Sequence, residues 1–577
     1  MFLGLVFLAA CTNNAFVVSD TDPPAADDSE VGADSSVEES VDSETSPVDS
    51  PVDDTEIDDS PGGGDTEDEP EEPPSWRSAL YPESWTPEFS TTTGLFLHDF
   101  SYAGYRSSEV TIPDVTGIEY SVTAYGADAS GASDSTAAIQ AAIDAAEVEG
   151  GIVLFPAGEY RVDGLLTVNS SNVVLRGMGV SSSKIRFTRS AGMTDVAHLT
   201  FRGSVSESGE QRLVANGDPR SLEIRVDDAS GFAPGDVVHV GWKITEDFTA
   251  DHGMTGIWVS FTNQWKAFFR RTVVAVDTSV VPHRITLDIP LRYVAKMRDQ
   301  ASIRKANGYL REVGLEDLAV TTVSTWANAW ANDRTHAIAM QGVMDGWVRR
   351  VSSYAPTNPP DDRGDQLMSG GLKIVDSRRI TVADTHFAEA QHRGVGGNGY
   401  LFEISRSGEI LTRDSSAKAG RHNFIQNWDF GTSGCVWLRT RSEDGRSLVS
   451  NWDPIGYASY SEYHHSLAMA NLVDDSYASD GWQGVNRRNE SSGSGHSATQ
   501  NVFWNLTGGG YLRSLQYGMG YVIGPVDMNV HVDPNAIDWN RSGEGTAPED
   551  WVEERDDGLP LEPRSLFEDQ LRRRLAE

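Results

Sequence analysis

One short amphipathic helix followed by a long succession of strand-length apolar runs is the feature that most narrows what this chain can fold into. In Asp134-Ser-Thr-Ala-Ala-Ile-Gln-Ala-Ala-Ile-Asp-Ala-Ala, the residues Ile139, Ala142, Ile143 and Ala146 recur at helical spacing behind the capping candidates Asp134 and Ser135. That spacing predicts a helix with one buried stripe. After it, runs such as Gly150-Gly-Ile-Val-Leu-Phe and Asn172-Val-Val-Leu-Arg alternate with Gly, Pro and Asn punctuation, the texture of short strands joined by turns with no second helix between them. One helix and then strands predicts an all-β stacked solenoid.

The later chain fits the same reading. Taking Leu318, Val351, Ile380, Phe424, Leu472 and Val502 as strand centres gives intervals of 33, 29, 44, 48 and 30 residues, three of which suit one solenoid repeat with ordinary loops. The long intervals hold segments near 394–421 and 440–465, and excess length in neighbouring repeats emerges on one face, where it can wall a groove. Between Gly203 and Arg304 the texture changes. Leu222-Glu-Ile-Arg-Val, Asp236-Val-Val-His-Val, Arg271-Thr-Val-Val-Ala-Val and Arg284-Ile-Thr-Leu alternate apolar and polar residues, which predicts half-buried strands of a small antiparallel insertion. Its loop from Trp242 to Trp265, with His252 and Trp258, is placed to overhang a groove.

Smaller features complete the layout. The aromatic segment 76–119, containing Tyr102 and Tyr105, reads as a cap for the exposed end of the solenoid, with a sugar-stacking surface as the alternative. Asn423, Asn471 and Asn501 read as an internal ladder or as residues serving the bend before a strand. In the C-terminal region 511–577, Ser565 followed by Glu568 matches a capping box, and the Arg residues near the end complement the dipole of a terminal helix docked through Leu566, Phe567 and Leu571. The solenoid proper is expected over 120–510, with 203–304 inserted into it.

The termini bound the compartment. The net charge is -40, yet 22 Asp and Glu and no Lys or Arg lie between Ser19 and Ser75, so more than half of the acidity sits in one segment. That segment, 19–75, is poor in apolar residues and reads as a disordered, self-repelling spacer. Before it, Met-Phe-Leu-Gly-Leu-Val-Phe-Leu-Ala-Ala-Cys11 is too short to span a bilayer as a mature helix. Leu8-Ala-Ala-Cys11 resembles a bacterial lipobox, so that 1–18 would be signal and anchor, Cys11 the lipidated residue, and the chain an outer-membrane lipoprotein touching the membrane through its lipid alone; Thr12 after the cysteine fits that destination. No Lys or Arg precedes the apolar run, which leaves the true start codon open and a secreted protein cut near Ala15 as the alternative. Cys435 then has no partner, so neither a disulfide framework nor a cysteine zinc site is available.

Tyr125-Gly-Ala-Asp, the Asp134 helix, Gly151-Ile-Val-Leu-Phe-Pro-Ala-Gly-Glu-Tyr and Leu175-Arg-Gly-Met-Gly together resemble the start of the pectate lyase superfamily. The resemblance implies a right-handed parallel β-helix. It implies no single reaction, since the superfamily holds lyases, hydrolases, epimerases and phage tailspikes, and function has to be argued from a site.

Residues able to move protons crowd into 386–496: His386, Gln391-His-Arg393, Lys418-Ala-Gly-Arg-His422, His464-His465, Asp474-Asp475, Asp480, Asn486-Arg-Arg488 and Gly495-His496. A lyase acting on uronic acids must neutralise a carboxylate, remove the proton at C5 and protonate the leaving oxygen. For those tasks the expected catalytic residues are His422 or His464 as base, Lys418 as a second candidate, and Arg421. His392, Arg393, Arg487, His496, Asp474 and Asp480 are expected to bind substrate. The alternatives are a glycoside hydrolase using carboxyl groups among Asp429, Asp474, Asp475 and Asp480, and a non-catalytic carbohydrate-binding adhesion protein. Gly495-His-Ser and Asp474-Asp475 are only fragments of a polygalacturonase pattern. No cofactor is required by the sequence. Calcium at Asp361, Asp362 and Asp365 is left open. The expected partner is a polysaccharide and not a nucleic acid, because no basic stripe appears; monomer and trimer both remain open.

Overall fold

The computed structural model describes residues 74–576 apart from 449–455, 536, 539–540 and 556–557. The signal segment 1–18 with Cys11, and all but the last residues of 19–75, lie outside the described residues. The helix runs Thr136–Glu149 and buries Ile139, Ala142, Ile143 and Ala146. Asp134 Oδ1 accepts the N–H groups of Thr136 at 2.9 Å and Asp163 at 3.0 Å, so one carboxylate both starts the helix and pins it to a strand end. Ser135 instead accepts the Asp128 N–H at 2.9 Å.

After the helix the chain winds as a parallel β-helix with three faces. The first face stacks strands from Glu119–Ser121 through Gly314–Thr321 to Trp551–Glu553. The second carries Gly158–Val162, Ser183–Phe187, His386–Ala388, Ser416–Lys418 and Arg441–Glu443. The long strands Gly314–Thr321 and Met344–Ser353 turn from the first face into the second, joining both into one 18-stranded sheet. The third face is a separate sheet of ten parallel strands. Its central members are His336–Gln341, Gly370–Val375, Tyr400–Ser405, His422–Asn427, Ser461–Tyr463 and Gly481–Gly484.

This topology corrects the strand centres read from the sequence. On the first face the true register partners Gly314, Trp347, Thr381, Leu411, Val436, Leu472 and Val502 are 33, 34, 30, 25, 36 and 30 residues apart. Ile380 pairs with Gly346 rather than Val351, and Phe424 belongs to the third face, opposite Phe402. Strands of different faces have the same apolar texture, so a sequence alignment can slide from one to another. Inside the coil Phe402 stacks on Phe424 at 5.0 Å, and Phe424 on Trp482 at 6.4 Å. Asn471 and Asn501 form a ladder, the Asn471 amide donating to Asn501 Oδ1 at 2.8 Å, and the Asn501 amide to Gln516 at 2.9 Å. Asn423 stands apart from it, bonded to Ser442, the Glu443 carbonyl and Asp480.

The aromatic segment covers a flank rather than an end. Leu80, Tyr81, Trp85, Leu97 and Phe100 pack over Leu411, Val436, Leu472 and Val502, which point outward from the first face. The C-terminal helix, Leu566–Ala576, joins the same cluster through Leu566 and Phe567. Tyr105 is buried edge-on against Trp347 at 5.5 Å and donates to Glu312, so it is no sugar platform.

The insertion is a six-stranded antiparallel sheet, from Ser206–Arg212 to Ser302–Asn307. Its loop aromatics are mostly core. Trp242 stacks on Phe268 at 3.7 Å, and His252 and Trp258 are buried with them. Trp258 Nε1 donates to the Ser494 carbonyl at 2.9 Å, tying the insertion to the loop 485–501. Of the residues expected to overhang a groove, Trp265 is the one that lines a cavity.

Candidate active site

In Ser461–Tyr463, Tyr463 enters the core, so Glu462 and the flanking His464 face outward; His422, the first residue of the strand His422–Asn427, departs from the alternation set by Phe424 and lies beside Glu462. In register, Lys373, Glu403, Ile425, Glu462, Gln483 and Arg513 form one column across successive strands. Residues 389–399 and 444–448 follow strands of the second face, and 485–501 follows the third-face strand Gly481–Gly484.

Glu462 is the centre of the group. Its Oε1 lies 3.3 Å from His422 Nε2 and is hydrogen-bonded to His464 Nδ1. Its Oε2 accepts from the Gln483 amide. Arg487 Nη1 stands 4.0 Å from Oε1 and donates to the His464 carbonyl at 3.3 Å. The far nitrogens are also held: His422 Nδ1 lies 2.6 Å from the Tyr460 carbonyl, and His464 Nε2 3.3 Å from Ser491 Oγ. Tyr400 packs against both imidazoles, its ring centroid 5.3 Å from His422 and 6.2 Å from His464. His422 and His464 are each 4% exposed and Glu462 is fully buried.

Charge follows from that geometry. Burial lowers His422 to about 4, with Arg421 and Arg487 adding to the effect and Glu462 opposing it. Burial and Arg487 likewise hold His464 well below the usual histidine range. Burial alone would raise Glu462, but the surrounding His422, His464 and Arg487 keep it well below the usual carboxylate range. Burial pushes the Tyr400 phenol up to about 12. At neutral pH the site therefore presents an ionised carboxylate, two neutral imidazoles and a protonated phenol. Among the described residues, His422, Glu462 and His464 are the group of three whose ligand atoms come within 4.8 Å of one another, as a metal ion would need.

Two further features adjoin. Towards the N-terminal end of the same column, Glu403 lies 2.9 Å from His336 Nε2 and 3.3 Å from Lys373 Nζ and accepts from the Asn427 amide at 3.1 Å. Burial would raise it, yet Lys373 and His336 hold it below the carboxylate range. Two residues beyond Asn427, Asp429 pairs with Lys266 at the rim of a cavity of about 480 Å³ between the coil and the insertion, which Trp265, Arg270, Arg304 and Arg406 also line.

Of the residues expected from the sequence, His422, His464 and Arg487 come together, and Arg421 joins their edge with its guanidinium on the Gly394 carbonyl at 3.0 Å. The others do not join them. Lys418 lies exposed on the second face, 3.5 Å from Asp444. His392 is covered by the Trp330 ring at 4.2 Å and bonded to the Asn332 carbonyl. Arg393 sits in the field of Glu389 and Asp365. His496 packs on Tyr517 at 5.0 Å, with neither ring nitrogen bonded. Asp474 caps the C-terminal helix, accepting from Ser565 Oγ and the N–H groups of Leu566 and Phe567. Asp475 pairs with Arg564, and Asp480 holds the turn through Asn423, Ser442 and the Gly445 N–H. Asp361 is used on the Trp326 N–H and Asp365 lies 3.7 Å from Arg363. Glu462, Glu403 and Tyr400 were not anticipated; the available signal was an acidic residue at an outward position between buried strand neighbours, as in Ser461-Glu-Tyr463.

Comparison with known proteins agrees with the coil. Residues 120–252 match the family model described as rhamnogalacturonase A/epimerase, pectate lyase-like. Over that stretch the chain is similar to the pectate lyase-like β-helix superfamily. This β-helix protein is 38% identical over 128 residues to mannuronan C5-epimerase AlgE1 of Azotobacter vinelandii, a match covering 20% of the chain and 9% of that enzyme. It is 35% identical over 129 residues to alginate lyase 7 of the same organism, covering 20% of the chain and 15% of the lyase. The chain thus spans a small part of the curated relatives it matches. Among solved structures, the tailspike gp49 of Pseudomonas phage LKA1 aligns with a TM-score of 0.47 and 14% identity, over 71% of this chain and 64% of that one.

Proposed function

We propose that the β-helix protein is a carbohydrate-active enzyme that removes the C5 proton of a uronic acid residue in a polysaccharide, and that it is a lyase. The observation that carries this reading is the triangle of Tyr400, His422 and His464, whose ring centroids lie 5.3 to 6.2 Å apart around the ionised Glu462. Three rings able to accept or donate a proton, with Arg487 and Arg421 beside them, match the needs of carbanion chemistry next to a carboxylate. In the elimination, the C5–H bond breaks and its proton goes to a ring of the triangle. The electron pair forms the C4–C5 double bond, the C4–O bond breaks, and the leaving oxygen takes a proton. The relatives named as mannuronan C5-epimerases and as alginate lyase support a uronic acid polymer as substrate. They also favour a second reading, epimerisation, which shares the proton removal but returns a proton to C5 instead of breaking the chain. Glu403 and Glu462 on one column supply the carboxyl pair for the hydrolase alternative, although both are held ionised and neither is poised as an acid.

The deciding experiment incubates the full chain with a panel of uronic acid polymers in D2O. Ultraviolet-absorbing unsaturated ends are expected. Deuterium at C5 without chain cleavage would replace lyase by epimerase, and reducing ends with neither signal would overturn both. The anchor is proposed from Cys11: labelled fatty acid should enter the wild-type chain in a bacterial host, and equal labelling of Cys11→Ala would remove it.

A further inference from the structure

We propose that His422, Glu462 and His464 bind a divalent transition-metal cation of the zinc type. The argument begins with protons. His422 Nδ1 lies 2.6 Å from the Tyr460 carbonyl, an oxygen that can only accept, so Nδ1 carries the ring proton. The other nitrogen, Nε2, is aimed at Glu462 Oε1, 3.3 Å away, is buried without a hydrogen-bond partner, and lies with Glu462 and His464 in a group whose ligand atoms are within 4.8 Å of one another. A lone pair and an ionised oxygen facing each other out of water repel unless a cation lies between them.

The surroundings are those of a ligand set. A metal-binding imidazole gives its second nitrogen to a carbonyl or another polar group, which fixes its tautomer and orientation. His422 has the Tyr460 carbonyl for this and His464 has Ser491 Oγ, at 3.3 Å. His464 Nδ1 is hydrogen-bonded to the same Oε1, and a cation there would displace that proton, as metal binding does. Glu462 Oε2 is held by Gln483. Arg487 donates to the His464 carbonyl and Glu490 and stands 4.0 Å from Oε1, beyond hydrogen-bonding distance. Two imidazole nitrogens and one carboxylate oxygen suit zinc and its neighbours; calcium and magnesium take oxygen-rich shells. Three protein ligands leave a position for substrate or water.

For catalysis this rests on the proposed uronate chemistry and sharpens it. With a cation bound, His422 and His464 would be its ligands, the cation would neutralise the uronate carboxylate, and Tyr400, its phenol ionised beside the cation, would take the C5 proton.

The site is tested without activity. The full chain, stripped with EDTA and dialysed against zinc chloride, should retain one zinc per chain by elemental analysis and melt at a higher temperature than the stripped form. Cobalt(II) in its place should give the intense visible bands of a four- or five-coordinate nitrogen-ligated ion. Glu462→Gln, which keeps the side-chain shape, and His422→Ala should each bind zinc more than about a hundredfold more weakly. Absence of stoichiometric zinc in the wild type would overturn the inference, as would undiminished binding in both variants or a weak, octahedral cobalt spectrum. The cobalt spectrum of the wild type decides the matter even where a variant fails to fold. A chain that binds zinc but leaves every uronate polymer untouched would keep this site and lose the proposed function; a metal-free lyase would do the reverse.

Discussion

Glu316 and Glu462 are both wholly buried carboxylates on outward positions of the same coil, yet their surroundings could hardly differ more. Glu316, on the first face, is clamped between Arg176 and Arg349 from the neighbouring strands and accepts from Trp347 Nε1 at 3.1 Å. Every partner is a permanent donor, so the group is closed. Glu462, on the third face, meets two imidazoles: His464 is hydrogen-bonded to it through Nδ1, while the proton of His422 is committed to the Tyr460 carbonyl, leaving His422 Nε2 without a partner. A coil can bury charge for cohesion or for chemistry, and what separates the two is whether the partners can change protonation or take a ligand.

Glu462→Gln should show the larger effect: turnover on the responsive polymer falls by at least about a thousandfold while the melting temperature in the metal-stripped state moves little. A variant retaining activity would break the comparison from the functional side. Glu316→Gln should do the opposite, leaving two guanidiniums short of a counter-charge and costing about 3 kcal/mol in denaturant unfolding, with turnover per folded molecule unchanged.

His98 sharpens the comparison within the first-face covering. Burial lowers it to about 3, and its Nε2 is bonded to Gln500 at 2.7 Å. The unfolded chain therefore binds this proton first as pH falls, so stability is intact above about 6.5 and is lost as pH drops towards 3, by up to about 1.4 kcal/mol per pH unit. Relative to His98→Asn, the wild type should lose stability across that window; parallel pH curves would show the histidine to be titrating freely. Smaller still, Asp474→Asn should cost about 1 to 2 kcal/mol by weakening the cap of the C-terminal helix, with activity retained. Lys418→Ala, on an exposed pair, should change stability by less than about 0.5 kcal/mol and leave turnover within about twofold.

Lys418 and His422 show where reading the sequence stops. They are four residues apart, and both belong to the proton-bearing cluster by position. Between them the chain turns a corner: Ala419 takes a φ of 54°, and a side chain at Gly420 would come within 2.8 Å of the Gly399 carbonyl. Lys418 ends the second face and His422 opens the third. Conversely, Glu462 lies 40 positions from His422 by number and adjoins it by register, because Ile425 pairs with Glu462. Nothing local marks that proximity.

The helix with its buried Ile139 and Ile143, the strand-length runs, the antiparallel alternation of the insertion and the capping box at Ser565 were determined by the sequence alone, since each depends on neighbours within a few residues. Face assignment was decided by tertiary structure. It sent the aromatic segment along the flank instead of over an end, used Asp474 as a helix cap, and gathered Tyr400, His422, Glu462, His464 and Arg487 from separate turns of the coil. The physical reason is that a β-strand fixes only which side of its own ribbon each residue occupies. How many residues a corner absorbs decides which face, and therefore which neighbours, that side will meet.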